Sequence, residues 1–279
     1  MKRVNEFVNS GAGFIIFYIS RYTFARMKRF QFAFLFLVIA HIVQAQSGQL
    51  KTRSGVLYFG FGTHKIFYSK SNLHLVGNGS PGFDFTLKKV KAKDDFFLKQ
   101  TGGAPQYDYK MGYYFNRKNL GIEFNFDHVK YFVRHDQVVR TVGTINGEKI
   151  DSELPVTTYV QNFEHSDGAN YALVNFVKWK NLTSTSKTNL IWELKAGIGP
   201  VFPKTNSTIL GKHWDDHYHV AGFVTAVETG LRYNIKFLFV QPSFKAAFAD
   251  YRRFLIADGY GNQNWLSGQF ILSIGAQIR

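Results

Sequence analysis

From residue 56 onward, apolar and polar side chains alternate with a period of two, in stretches of about ten residues separated by turn formers, the pattern of half-buried strands. Residues 56–63 place Leu57, Phe59 and Phe61 on one face and Tyr58, Gly60 and Gly62 on the other. Residues 106–115 set Tyr107, Tyr109, Met111 and Tyr113 against Asp108, Lys110 and Gly112, and 120–132 set Ile122, Phe124 and Phe126 against Glu123, Asn125 and Asp127. In 170–180 the facing is open, because Asn175 falls among large apolar neighbours. The alternation resumes in 189–201 (Leu190, Trp192, Leu194, Ile198 against Glu193, Lys195), 217–233 (Phe223, Val227, Leu231 against Glu228, Arg232) and 236–250 (Leu238, Val240, Phe244, Phe248 against Gln241, Ser243, Lys245). It closes in 266–279, with Phe270, Leu272, Ile274 and Ile278 against Gln269, Ser273 and Gln277.

These eight strands are joined by connections of alternating length: long at 64–105, 133–169, 202–216 and 251–265, short at 116–119, 181–188 and 234–235. Short turns at one end, long loops at the other and an even strand number are the habit of a bacterial transmembrane barrel. The expectation is an all-β, antiparallel, up-and-down transmembrane β-barrel of eight strands, or ten if 83–90 enters the wall with a partner. Strand-like pieces within the loops, at 84–90 and 138–145, extend hairpins above the membrane. A bilayer requires closure, since an open edge leaves backbone groups unpaired in hydrocarbon at several kcal/mol each. Eight strands make a porin-like wall whose lumen is filled by side chains and carries no water channel.

Composition agrees with interleaving. Hydrophobic residues are 45% and aromatics 17%, yet mean hydropathy is only −0.16. Cysteine is absent, which excludes disulfides and thiolate metal sites. The net charge of +15 includes six Lys/Arg and one acid before residue 46, so +10 remains on the rest. Such a balance suits anionic headgroups; no helix-turn-helix, aromatic RNA-binding signature or zinc pattern points to nucleic acid.

Residues 27–45 read as a signal peptide: Met27-Lys28-Arg29, an apolar run from Phe32 to Ala40, and Val43-Gln44-Ala45 as cleavage site. Cleavage leaves 46–279 as the barrel, and residues 1–26 read as a start codon placed too early. The chain resembles the small outer-membrane β-barrel families of Gram-negative bacteria over 46–279, through that signal, the strand rhythm and the closing amphipathic strand 268–279. Gly60-Phe61-Gly62, Gly197-Ile198-Gly199-Pro200 and Gln241-Pro242-Ser243-Phe244-Lys245 look like wall strands of poorly characterised members. The final Ile278-Arg279 departs from the aromatic terminus common there. The resemblance implies an architecture and an outer-membrane location, and no activity.

Facing the lumen, Asp108, Lys110, Glu123, Asp127, Glu193, Lys195, Glu228, Arg232 and Lys245 read as a mutually satisfied charge network, since unpaired buried ions are costly; the sharper alternative is a proton or ion path. His213, Asp215, His217 and His219 share a face at strand spacing, a set able to hold zinc, copper or nickel, against the plainer reading of an interfacial rim. His64 with Ser69 or Ser71, and His128 with Asp127, are the candidates for a lipid A-modifying hydrolase or acyltransferase. Lys88, Lys89, Lys91 and Lys93 in the first loop suit an anionic lipid contact, against the plainer reading of a solvated hairpin. The preferred reading is a monomeric surface-interaction barrel without cofactor, its loops meeting outer-membrane lipid, lipopolysaccharide, a ligand or an envelope protein partner. A soluble lipocalin-like binder is the remaining alternative and requires apolar residues inside.

Overall fold

The computed structural model describes residues 55–94, 106–115, 119–185 and 188–278. The segments 1–26 and 27–45 lie outside them. In chain order the strands are β1 (Gly55–Tyr68), β2 (Ser71–Gly77), β3 (Phe83–Val90), β4 (Ala92–Lys93), β5 (Tyr107–Phe115), β6 (Leu120–His128), β7 (Tyr131–Val133), β8 (Val138–Ile145), β9 (Glu148–Pro155), β10 (Val160–His165), β11 (Ala169–Ser184), β12 (Thr188–Pro203), β13 (Asn206–Ile209), β14 (Lys212–Asp215), β15 (Gly222–Ile235), β16 (Leu238–Ile256) and β17 (Gly259–Ile278).

Eight of them close a ring in the order β1-β5-β6-β11-β12-β15-β16-β17 and back to β1, every pairing antiparallel. Closure sets the dimensions. Stepping across the ladder from Tyr68 passes Ser267, Ala247, Ala226, Gly197, Asn175, Glu123 and Gly112 and returns to β1 at Tyr58. The stagger is therefore ten residues over eight strands. With about 3.3 Å per residue and 4.8 Å between strands, the tilt is about 40° and the radius about 8 Å. A tube so narrow has room for side chains and no pore.

The outward parity is apolar on every wall strand. Phe59, Phe61, Tyr109, Met111, Phe124, Val174, Phe176, Leu194, Ile198, Val227, Leu231, Phe244, Leu272 and Ile274 are all exposed, and Trp192 is half-buried on the same surface. From Leu266 to Ala276 this belt is about 25 Å tall along the barrel axis, the height of a hydrocarbon layer crossed by tilted strands. Asn175 settles the facing of β11: it points inward and donates to Glu123 Oε1 at 3.1 Å. A soluble lipocalin-like barrel would have the opposite polarity.

Above the belt the polarity inverts along unbroken strands. On β17 the outward residues run from Asn262 and Asn264 to Leu266, Phe270 and Leu272, while the inward ones pass from Trp265 to Gln269 and Ser273. On β16 the outward Phe244 and Phe248 give way to Asp250 and Arg252, and the inward Lys245 to Tyr251 and Phe254. A strand must hide its apolar face from water and its polar face from lipid, so the inversion marks where one solvent replaces the other.

The upper parts of β16 and β17 continue into β2, β3, β8 and β9, and a second sheet runs β14-β13-β10-β7-β4. Phe85, Leu87, Val133, Val160, Phe163, Tyr251, Phe254 and Trp265 form a core between them. The long connections thus build a two-sheet cap with its own hydrophobic interior. Several expected boundaries move as a result. Residues 64–68 belong to the wall, and 251–265 is hairpin, with its turn at Ala257 and Asp258. The turn expected at 234–235 lies at Lys236 and Phe237, where Lys236 takes a φ of 56°. β6 ends at His128 and β15 begins at Gly222, so 129–132 and 217–221 leave the wall. Phe83–Val90 pairs with β2 and β8 above the belt, so the ring has eight strands and not ten.

Candidate functional site

The narrow radius brings the inward side chains of opposite strands within bonding range. Near the end where the chain enters the wall, the Arg232 guanidinium lies 3.9 Å from the Tyr58 ring centroid and 4.1 Å from that of Phe239. Its Nε is 2.9 Å from Glu193 Oε1, and Gln241 Oε1 accepts from its Nε and Nη2 at 3.1 and 3.0 Å. Gly112 leaves room for this arrangement, since a Cβ there would run into the Tyr58 ring. One layer up, Glu123 accepts from Tyr58 Oη and from Lys195 Nζ, both at 2.7 Å. Glu228 gathers three ammonium groups: Lys110 at 2.9 Å, Lys195 at 3.4 Å and Lys245 at 3.4 Å. Lys245 also donates to Asp127 Oδ2 at 2.7 Å and Asn125 Oδ1 at 2.6 Å. Asp108 lies 3.6 Å from Lys110 and accepts from Ser273 Oγ at 3.3 Å.

The structure therefore places all nine lumen charges in one buried lattice. Parity along each strand was the signal for them. The uncharged partners that complete it carry the same parity: Tyr58, Asn125 and Gln241 stand on the polar face in the sequence pattern without being assigned to the network, and Asn175 is the residue that left the facing of its strand open. Aromatic rings seal the upper end: Trp265 stacks on Tyr131 at 4.3 Å and on Tyr251 at 4.6 Å, and its Nε1 donates to Tyr171 Oη at 3.0 Å. From base to cap the axis is filled by side chains, which is the reverse of a porin-like passage.

The alternative chemistries do not assemble. His64 is inside the barrel with 1% exposure, whereas Ser69 sits on the rim and accepts from the Leu266 amide at 3.0 Å. His128 and Asp127, adjacent on β6, point to opposite faces: Asp127 to Lys245, His128 to Asn170 Oδ1 at 2.8 Å and against the Tyr107 ring at 4.7 Å. His213 and Asp215 lie on β14, but His217 and His219 follow it, so the four do not share a strand face. Among the described residues no cluster of three His, Asp or Glu side chains has metal-holding geometry.

The lysines of the first long connection have a definite place. β2 pairs with β17 and β3 with β2, and the Ser69 amide donates to the Leu266 carbonyl at 2.8 Å. Val90, opposite Ser71 at the lower end of the β2–β3 pair, therefore lies a few Å above the level of Leu266, the last apolar outward residue of β17, since each step across strands tilted by about 40° rises by about 3 Å. Lys88, Lys89, Lys91 and Lys93 flank Val90, all four exposed, with no carboxylate in ion-pair range among the described residues. They form a basic margin just above the apolar belt.

A closed ring with an apolar exterior and a charged, filled interior defines a transmembrane β-barrel. No family model and no curated protein sequence matches the chain. Two solved structures are among those that align with the chain. Ail, the attachment invasion locus protein of Yersinia pestis, solved in complex with the heparin analogue sucrose octasulfate, is 12% identical, with 81% of this chain and 100% of that one covered and a TM-score of 0.33. Neisserial surface protein A, NspA, is 6% identical, with 80% and 97% covered and a TM-score of 0.32.

Proposed function

We propose that this protein is a surface-interaction barrel of the Gram-negative outer membrane, whose cap meets the anionic headgroup layer through Lys88, Lys89, Lys91 and Lys93. The observation that carries the reading is the height of these lysines, just above the polarity boundary and with no carboxylate in ion-pair range among the described residues. Cations there gain from phosphate attraction, because headgroup phosphates of lipopolysaccharide concentrate negative charge at that depth. The sealed lumen supports recognition over transport, and the cap supplies a rigid surface for a ligand or an envelope protein partner. The test is binding of purified lipopolysaccharide by the folded barrel across a salt series. Replacing the four lysines by Gln should weaken binding and flatten its salt dependence, since exposed charge is screened within about 10 Å at 0.1 M salt. Unchanged affinity and slope would remove the lysines from the interface.

A further inference from the structure

The junction between β1 and β5 changes character partway up. Among the described residues, backbone pairing of the two strands ends at Gly62 and Asp108, although β1 continues to Tyr68 and stays paired with β17 on its other side. Above that point the Ile66 amide donates to Asp94 Oδ2 at 3.0 Å, and Gln106 Nε2 donates to the same oxygen at 3.2 Å. The Lys65 ammonium contacts Oδ1 of the same carboxylate. Three donors, two from neighbouring residues of β1 and one from Gln106, converge on one anion, and Lys65 reaches it from the lipid side with 36% of its side chain exposed. Ile66 lies two residues below Tyr68, about 5 Å beneath the rim at the strand's tilt, and so inside the apolar belt.

An amide at this depth needs an acceptor, because hydrocarbon offers none. Asp94 provides it. What the donors require is an anionic oxygen, and a carboxylate or phosphate from outside the chain meets that requirement as well as Asp94 does. The surface beside the cradle suits acyl chains: the Phe67 and Phe270 rings, 55% and 59% exposed, pack edge to face at 6.2 Å. Behind it sits further hydrogen-bonding capacity, since His64 is buried with neither ring nitrogen partnered and its carbonyl accepts from Gln106 Nε2 at 3.4 Å.

We propose that this cradle is a lateral binding site for the anionic head of a membrane lipid, carboxylate or phosphate, with Asp94 as a built-in occupant that the incoming head displaces. Its acyl chain lies along Phe67 and Phe270 in the belt. The site is independent of the basic margin above, which acts on headgroups outside the hydrocarbon.

The experiment uses the whole folded barrel in phosphatidylcholine vesicles doped with oleate or with dioleoyl phosphatidate, retained lipid being read by native mass spectrometry. Asp94→Asn removes the competing charge and keeps an acceptor. It should raise retention of the anionic lipids by about tenfold, the worth of one charge-assisted hydrogen bond, and leave phosphatidylcholine unchanged. Lys65→Gln on top of Asp94→Asn should cancel the gain. Preference for oleate identifies a carboxylate head and preference for phosphatidate a phosphate head; either supports the site. Equal retention by wild type, Asp94→Asn and the double variant overturns it. If Asp94→Asn does not fold, the wild type against Lys65→Gln decides: oleate or phosphatidate must raise the melting temperature of the first and not of the second, and equal shifts overturn the proposal. Neutralising the four margin lysines lowers retention of anionic lipid by every variant but keeps the ratio between Asp94→Asn and wild type, so the two readings fail separately.

Discussion

Lys245 Nζ lies 2.7 Å from Asp127 Oδ2 across the barrel lumen, although 118 residues of chain separate the two. Neither group reaches water, and Lys245 is held also by Asn125 and Glu228. Removing one partner of a buried pair leaves an uncompensated charge, which typically costs about 3–5 kcal/mol. Lys245→Ala and Asp127→Ala should each lose stability in that range. The paired change Lys245→Ala with Asp127→Ala should lose less than their sum, because no lone ion remains between them. Urea unfolding of the barrel in bilayers, analysed as a double-mutant cycle, measures this; strict additivity would mean that the pair is not coupled.

The polarity inversion makes a prediction about one surface at two heights. Phe244 lies near mid-belt and Asn264 just above the belt, both facing outward. Phe244→Arg should destabilise insertion by about 2–4 kcal/mol, while Asn264→Arg should be close to neutral. Folding titrations into vesicles report both. Equal penalties would mean that the boundary is not at Leu266.

The cap should loosen in acid through His165. This residue is buried against Tyr251, Phe163 and Phe254, and burial drives its imidazole pKa down to about 3 from an ordinary 6.5. The folded state thus holds the neutral ring while the unfolded chain takes up a proton. Below the unfolded pKa the unfolded state binds more protons, so stability falls with pH from about 6.5 to about 3, by up to roughly 1.4 kcal/mol per unit. Below that the native ring protonates too and the loss stops. Near-ultraviolet dichroism of the aromatic cluster around Trp265 should follow this window in the wild type. In His165→Phe the extra slope should vanish; an identical profile would assign the acid sensitivity to other groups.

The wall was legible from sequence for a physical reason. Within the bilayer each strand meets lipid on one face and a polar lattice on the other, so parity alone sorts Phe124 from Glu123 and Leu194 from Lys195. The same parity selected the nine lumen charges, but not which carboxylate meets which ammonium. That depends on the ten-residue stagger, and stagger is a property of closure that no single strand encodes.

Above the belt the reading loses its footing because the solvent changes. Phe83–Val90 and Val138–Ile145 were recognisable as strands, yet their partners and the second sheet depend on contacts between segments far apart in the chain. Residues 251–265 looked like a loop because the outward face turns polar there while the backbone continues as strand. Local alternation reports which face of a strand is buried, and so the sequence determined by itself an eight-stranded lipid-facing wall with a charged interior. Tertiary structure decided what alternation does not report: the ion pairs, the aromatic seal at the upper end, the separation of His64 from Ser69, the height of the lysines, and the arrival of Asp94 beside Lys65 and Ile66. Each of these joins groups whose distance is fixed by the closure of the ring and the packing of two sheets, neither of which is written in the order of neighbouring residues.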